Sequence, residues 1–156
     1  MDYTPIRATS GVKAISVGII EPQRLFEPFL TQLLSEAGFD VIAPLASSSL
    51  DEIGRSDPSV IFIDIDFIDN EPGLALRALR GAAPNATICA YTGRTEEGWA
   101  ATCTRAGANC VISKSATPAE IVAGMRHALR VGAFIDFRFD GEAVEAAAGN
   151  GETGAL

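Results

Sequence analysis

The stretch SVIFIDIDFIDNEPG, residues 59–73, places a short apolar run directly before a cluster of acidic residues. Four consecutive apolar residues at 60–63 predict a strand that is covered on both faces, because a half-exposed strand would alternate apolar with polar side chains. Asp64 follows this run at once, and three more acidic residues follow it before position 72. This strand would therefore carry a carboxylate to the end of a buried sheet, where it is either simply solvated or used for chemistry.

Similar apolar runs alternate with helical patterns along the rest of the chain. The predicted strands cover 14–20, 40–45, 59–64, 86–92 and 110–113, and the predicted helices cover 22–37, 48–55, 72–81, 95–106 and 117–132. Short, continuously apolar strands separated by helices predict an α/β fold with a doubly wound five-stranded parallel sheet. In such a sheet, binding and chemistry gather where the strands end at their carboxyl edge.

Local signals support several of these boundaries. Thr117, Pro118 and Glu120 match a capping box with proline at the first helical position. Pro22 suits the first turn of the first helix, since its missing N–H group costs nothing there. After the last helix, the segment AFIDFRFDG (133–141) predicts either a short added strand or an arm that packs on the domain.

Composition narrows the classes of function. The chain of 156 residues is long enough for one domain with a sizeable core. Its net charge of −8, without any run of Lys or Arg, argues against nucleic-acid binding. It has neither a membrane-length apolar stretch nor a signal peptide, so we expect no membrane association and a cytoplasmic location. The three cysteines form no CxxC pair and predict reduced, partly buried thiols.

Four polar side chains stand where predicted strands end. They are Glu21 after the first strand, Asp64 after the third, Thr92 after the fourth and Lys114 after the fifth. Each alone is most simply a polar residue where a strand emerges into solvent. Together they suit acyl-phosphate chemistry, in which Asp64 is the nucleophile and a divalent cation neutralises its charge. Thr92 and Lys114 would then hold phosphoryl oxygens.

In these positions the sequence resembles the receiver domains of bacterial response regulators, over about residues 14–132. The likeness is closest to receivers that usually precede a LuxR-type DNA-binding module. It rests on EPQRLFEPFLTQLL (21–34), DPSVIFIDI (57–65), ICAYTGR (88–94) and AGANCVISKSATPAEI (106–121). The resemblance implies a flavodoxin-like (βα)5 sheet with the strand order 2-1-3-4-5.

The resemblance also implies a role for each site residue. Asp64 would be the phosphorylation site, with a histidine kinase or phosphotransfer protein as the donor. Magnesium would be the cofactor, held by Glu21, Asp64 and Asp66, while Thr92 and Lys114 would contact the phosphoryl group. Asp66 belongs to the loop after the strand and has freedom to turn outward. The chain would not be an enzyme, and it would signal by protein contacts to a downstream target or in a homodimer.

The sequence departs from the family pattern near the site. Pro22 replaces the second acidic residue that usually follows the first strand, so we expect weak Mg²⁺ binding. Val111 replaces the aromatic residue that commonly moves with the threonine, and Gly73 lies one place late in the loop after Asp64. The alternative function is therefore a phosphorylation-independent pseudo-receiver that acts as an interaction or dimerisation module. An unrelated small-molecule binder would need a glycine-rich phosphate loop after the first strand, which the sequence lacks.

We expect three segments along the chain: a lead-in at 1–13, a receiver domain at 14–132 and an arm with a mobile tail at 133–156. The stretch after Gly132 is too short for a helix-turn-helix module, so a stand-alone receiver without a DNA-binding output domain is expected. The expected output face combines the fourth helix, the fifth strand and the fifth helix. Trp99 would pack beneath its own helix or contribute to that face.

Overall fold

The computed structural model describes residues 14–21, 26–42, 50–67 and 71–139. Its strands are β1 (Ser16–Ile20), β2 (Asp40–Val41), β3 (Val60–Asp64), β4 (Thr87–Thr92), β5 (Cys110–Ser113) and β6 (Phe134–Ile135). Its helices are α1 (Glu27–Glu36), α2 (Leu50–Ser56), α3 (Pro72–Ala82), α4 (Trp99–Arg105) and α5 (Pro118–Val131), with a short 3₁₀ helix at Phe137–Phe139. The predicted helix start at Pro22, the lead-in and most of the tail lie outside the described residues.

Within the described ranges, six parallel strands form one sheet in the order β2-β1-β3-β4-β5-β6. The predicted order of the first five strands is confirmed, but the predicted total of five strands is wrong. The added strand, β6, comes from the 133–141 segment and pairs with the free edge of β5. Phe134 N donates to Asn109 O at 3.0 Å, and Asp136 N donates to Val111 O at 2.9 Å. A two-residue strand is too short to show a periodicity of its own, so the sequence pattern could not decide between strand and arm.

The turn at Gly132 brings the chain to this edge. Gly132 adopts the left-handed conformation with φ of 94° and ends α5, a position that strongly favours glycine. Gly124 on α5 leaves the space that the Phe134 ring occupies, because a Cβ atom at this position would lie 2.6 Å from a ring carbon. The two glycines together allow β6 to fold back beside α5.

β3 lies at the centre of the sheet, and all five of its residues are buried. Ile61 and Ile63 pack in the core on one face, while Val60 and Phe62 pack in the core on the other. This confirms the two-sided burial that the unbroken apolar run predicted. The sheet therefore fixes the backbone at Asp64, which pairs in register with Tyr91 of β4.

Of the predicted helix boundaries that fall on described residues, the ends of α1 and α2 and both ends of α3 and α5 lie within one residue of the observed ones, whereas the start of α4 differs. The capping box of α5 is present: Glu120 N donates to Thr117 Oγ1 at 3.2 Å, and Thr117 N donates to Glu120 Oε1 at 2.8 Å. α4 begins at Trp99 instead of the predicted Thr95. Gly98 explains the difference, because its left-handed φ of 85° interrupts any helix that would run through it.

Asp136 anchors β6 to the neighbouring elements. Its side chain is 4% exposed and accepts hydrogen bonds from Ser113 N at 3.1 Å and from Arg138 N at 2.9 Å. The Arg138 guanidinium contacts Asp136 at 3.1 Å and Glu120 of α5 at 2.9 Å. One carboxylate thus ties the C-terminal segment to the end of β5, at the residue before Lys114.

Replacing Asp136 with alanine is expected to destabilise the fold by about 1–3 kcal/mol, because the buried Ser113 amide would lose its acceptor. Hydrogen–deuterium exchange should show faster exchange at Ser113 and in β6, with little change in β1. Asp40→Ala, which removes an exposed carboxylate from β2, is the matched control. Unchanged exchange at Ser113 would contradict the anchoring role of Asp136.

Two further features concern the described helices and the three cysteines. Across the helices of the described ranges, none combines the length and the apolar character that crossing a membrane requires. Cys89, Cys103 and Cys110 are free thiols, and all three are buried, more completely than the sequence suggested.

Candidate functional site

The ends of β3, β4 and β5 bring three of the predicted site residues together. Asp64 closes β3, Thr92 closes β4, and Lys114 directly follows β5. The Lys114 Nζ atom lies 2.8 Å from the Asp64 Oδ2 atom, which is direct ion-pair distance. The Asp64 side chain is 1% exposed and the Lys114 side chain is 27% exposed. The cluster therefore pairs a buried carboxylate with a cation that reaches solvent.

The direction of the Asp64 carboxylate is fixed from both sides. Its Oδ1 atom accepts a hydrogen bond from Asp66 N at 3.0 Å, a local turn in which an aspartate accepts from the amide two residues on. Its Oδ2 atom faces the Lys114 ammonium. A backbone donor and a cation thus orient this carboxylate at the end of a buried strand.

Asp66 points into the site, although the sequence left it free to turn outward. Its Oδ1 atom accepts from the Thr92 hydroxyl at 2.6 Å, and its Oδ2 atom accepts from Gly93 N at 2.7 Å. The Lys114 Nζ atom lies 3.0 Å from the same Oδ2 atom. One carboxylate therefore engages a hydroxyl, an amide and an ammonium, a role of its side chain that was not predicted from the sequence.

Trp99 is a further site residue that the sequence analysis did not identify. Its side chain is buried, and its indole Nε1 donates to Thr92 Oγ1 at 3.1 Å. Arg94 N donates to the same oxygen at 3.1 Å, and the Arg94 guanidinium lies 3.6 Å above the Trp99 ring. The position of Trp99, seven residues after Thr92 and within the predicted helix 95–106, was the only signal for this contact. Trp99 thus belongs to the site and not to an exposed output face.

Comparison with known proteins identifies the family to which this arrangement belongs. The sequence model of the response regulator receiver domain family matches residues 17–126, which is more than half of the chain. The chain belongs to this receiver family. No curated protein matches the chain.

Solved structures of receivers share the fold. A LuxR-family two-component response regulator from Aurantimonas sp. SI85-9A1 is similar with a TM-score of 0.77 and 19% identity, over 87% of this chain and 99% of that chain. A CheY-like receiver from Methanospirillum hungatei JF-1 has a TM-score of 0.67 and 18% identity, over 76% of this chain and 95% of that chain. A response regulator from Thermotoga maritima has a TM-score of 0.66 and 18% identity, over 76% of this chain and 99% of that chain. At these identities the likeness establishes the α/β receiver fold alone.

Membership in the family sets what the domain generally does. Receiver domains are phosphorylated modules of two-component signalling, generally without an enzymatic activity of their own, and they typically bind Mg²⁺ at the phosphorylation site. The chemistry of this particular receiver depends on how its own charges are arranged.

The charged groups of this receiver shift one another's pKa values. Burial acts to raise the pKa of Asp66, but the hydrogen bonds from Thr92 and Gly93 and the Lys114 ammonium outweigh it, so the pKa lies below its ordinary value. Burial acts to lower the pKa of Lys114, but Asp64 and Asp66 outweigh it, so that pKa lies above its ordinary value. Both shifts favour the charged forms. The contact between Asp66 and Lys114 is therefore an ion pair at neutral pH.

Glu21 stands beside Asp64 at the end of β1, because Ile20 pairs in register with Ile63. However, the described part of the chain contains no group of three or more His, Cys, Asp or Glu side chains arranged to hold a metal ion. The Asp66 carboxylate faces Thr92, and Lys114 supplies positive charge to both aspartates. The magnesium ligands expected from the resemblance, Glu21, Asp64 and Asp66, therefore stay a prediction.

Val111 occupies the β5 position where receivers commonly carry an aromatic residue. It is fully buried in the core and pairs in register with Ile135 of β6. An aliphatic side chain has no polar group that could bond to Thr92 or to a phosphoryl group. In this receiver, Trp99 makes the direct hydrogen bond to Thr92.

Proposed function

We propose that this receiver accepts one phosphoryl group on Asp64, from a histidine kinase or a phosphotransfer protein, and signals through protein–protein contacts. The observation that carries this proposal is the pairing of the buried Asp64 carboxylate with Lys114 at 2.8 Å. A carboxylate held in one direction beside a cation is oriented to attack phosphorus.

The transfer is a displacement at phosphorus. An oxygen of the Asp64 carboxylate forms the new bond to phosphorus, while the bond between phosphorus and the donor nitrogen breaks and its electron pair leaves with the donor imidazole. The product is an acyl phosphate on Asp64. The Lys114 ammonium and the Thr92 hydroxyl are the donors that would contact the phosphoryl oxygens, since both lie beside Asp64 or its neighbour Asp66.

The direct test is the intact mass of the protein after incubation with acetyl phosphate or with a phosphorylated histidine kinase. We expect a gain equal to one phosphoryl group, which hydroxylamine should release as inorganic phosphate by attacking the acyl carbon and leaving a hydroxamate on Asp64. An unchanged mass with every donor would overturn the proposal.

A second function is favoured by the contacts of Asp66. A receiver that never accepts phosphate would act as an interaction or dimerisation module in a fixed conformation. The Asp66 carboxylate already binds Thr92, Gly93 and Lys114, which supports such a fixed state. The absence of any mass gain, together with stable binding to a partner protein, would select this function.

Magnesium binding is expected to be weaker than in receivers with two adjacent acids after the first strand. Pro22 supplies no carboxylate, and the Asp66 carboxylate is engaged by Thr92 and Gly93. Titration of Mg²⁺ into the protein, followed by Trp99 fluorescence and reversed with a chelator, measures the affinity. Binding in the micromolar range would show that Glu21 and Asp64 suffice and that this charge argument is wrong.

Partner contacts are proposed for α4, α5 and the segment that contains β6. The edge of β5 is paired with β6 and is not available to a partner strand. Arg126 and Arg130 are exposed on α5, and Phe137 is 56% exposed beyond β6. A downstream protein or a second receiver would therefore meet a surface with exposed cations and one aromatic ring.

A further inference from the structure

We propose that the Asp66 carboxylate occupies the phosphoryl-binding cradle of this receiver. The hydrogen bond between Thr92 and Trp99 then couples the occupancy of the cradle to the position of α4. The cradle is the set of three donors formed by the Thr92 hydroxyl, the Gly93 amide and the Lys114 ammonium. The competition between Asp66 and a phosphoryl group for these donors rests on the proposed phosphorylation of Asp64. The contact between Asp66 and the cradle does not.

The three donors converge on one anion. The Asp66 carboxylate receives them at 2.6, 2.7 and 3.0 Å, and the last donor, Lys114, also contacts Asp64 at 2.8 Å. The cradle is therefore adjacent to the proposed phosphorylation site. An anion bound by an amide, a hydroxyl and an ammonium is held by charge-assisted hydrogen bonds of the kind that phosphoryl oxygens accept.

A phosphoryl group on Asp64 and the Asp66 carboxylate would need the same donors. Each of these donors is occupied in the structure, and two anions that share them at such distances repel each other. Asp66 must therefore rotate out of the cradle when the phosphoryl group enters. The unphosphorylated chain already holds Thr92 in a bond that the phosphoryl group would otherwise make.

Thr92 connects the cradle to α4. Its hydroxyl has one hydrogen, which it donates to Asp66, and it accepts hydrogen bonds from Arg94 N and from the Trp99 indole. The bonding capacity of this hydroxyl is thus filled, so a change of its acceptor alters the bond from Trp99. Trp99 is the first residue of α4, which makes its ring the link between the cradle and this helix.

The first test uses the unphosphorylated protein. Trp99 is the single tryptophan of the chain, so its indole ¹H–¹⁵N signal is unambiguous. We expect this signal to shift in Asp66→Ala and, to a smaller extent, in Asp66→Asn, but not in the control Asp40→Ala, which removes an exposed carboxylate from β2. An indole signal that is the same in wild type and in both folded Asp66 variants would overturn the inference.

The second test measures the rate of labelling by acetyl phosphate in intact-mass experiments. Freeing the cradle should raise the rate in Asp66→Ala by roughly tenfold to a hundredfold, because the charge-assisted bonds of Asp66 no longer have to break. Asp40→Ala should label at the wild-type rate. An equal or lower rate in both Asp66 variants would overturn the occupancy of the cradle.

The two tests separate this inference from the proposed function. If no variant is labelled but the indole signal shifts in Asp66→Ala, phosphorylation of Asp64 fails and Asp66 remains the occupant of the cradle. If wild type is labelled while neither the indole signal nor the rate responds to Asp66, the receiver function stands and the inference fails.

Discussion

Replacing Asp64 with asparagine is expected to abolish labelling by acetyl phosphate, while Asp66→Asn and Asp69→Asn remain labelled. The reason is position, because Asp64 ends a strand that is buried on both faces and its carboxylate is oriented by Asp66 N and Lys114. An amide in place of the carboxylate keeps the shape but is not a nucleophile towards phosphorus. Intact mass after a fixed incubation measures the effect, which should be a complete loss.

The comparison with Asp66 makes the assignment specific. Asp66 also contacts Lys114, so proximity to the cation alone does not distinguish the two carboxylates. If Asp64→Asn still gained the phosphoryl mass and Asp66→Asn did not, the phosphorylation site would be Asp66 and not Asp64. Peptide mapping of the labelled wild type gives an independent answer.

Replacing Lys114 with methionine is expected to destabilise the fold by about 2–3 kcal/mol. The change leaves the Asp64 carboxylate, 1% exposed, without its ion-pair partner, and an uncompensated buried charge is costly. The effect stays below that of a fully buried pair because Lys114 is 27% exposed and water screens the interaction. Urea denaturation at neutral pH measures the change in the free energy of unfolding.

A double-mutant cycle tests the cause of this loss. Asp64→Asn removes the buried charge, so Lys114→Met should cost much less in that background than in wild type. Arg105→Met, which removes an exposed cation from the last turn of α4, should change the free energy of unfolding little in either background. A cost of Lys114→Met that is independent of Asp64 would show that the lysine stabilises the fold through Asp66 or through its packing, and not through Asp64.

Much of the fold follows from pattern in the sequence because the signals are long or specific. The run at 60–63 predicted a strand buried on both faces, and the capping box at Thr117 and Glu120 predicted the start of α5. Two features were not predicted, because each depends on the backbone angles of a single glycine. Gly98 delays α4 with a left-handed φ, and Gly132 turns the chain so that β6 can pair with β5.

The site was predictable only as far as strand ends fix positions. Asp64, Thr92 and Lys114 converge because neighbouring parallel strands end at one edge. The inward direction of Asp66 was not predictable. The donors that it contacts, Thr92 and Gly93, come beside it only when the chain folds. The same holds for Trp99, whose indole reaches Thr92 across a loop that contains two glycines.

The lengths of the strands also limit how copies of this domain can associate. The inner strands run for four to six residues, whereas the strands at the two edges, β2 and β6, each have two residues in the described ranges. An exposed sheet edge recruits other chains by offering a row of unpaired amides and carbonyls, and very short edge strands offer almost none. In the described ranges, neither edge of the sheet therefore offers a row of free backbone groups for pairing with another copy. An association of copies through this part of the chain would use helix surfaces.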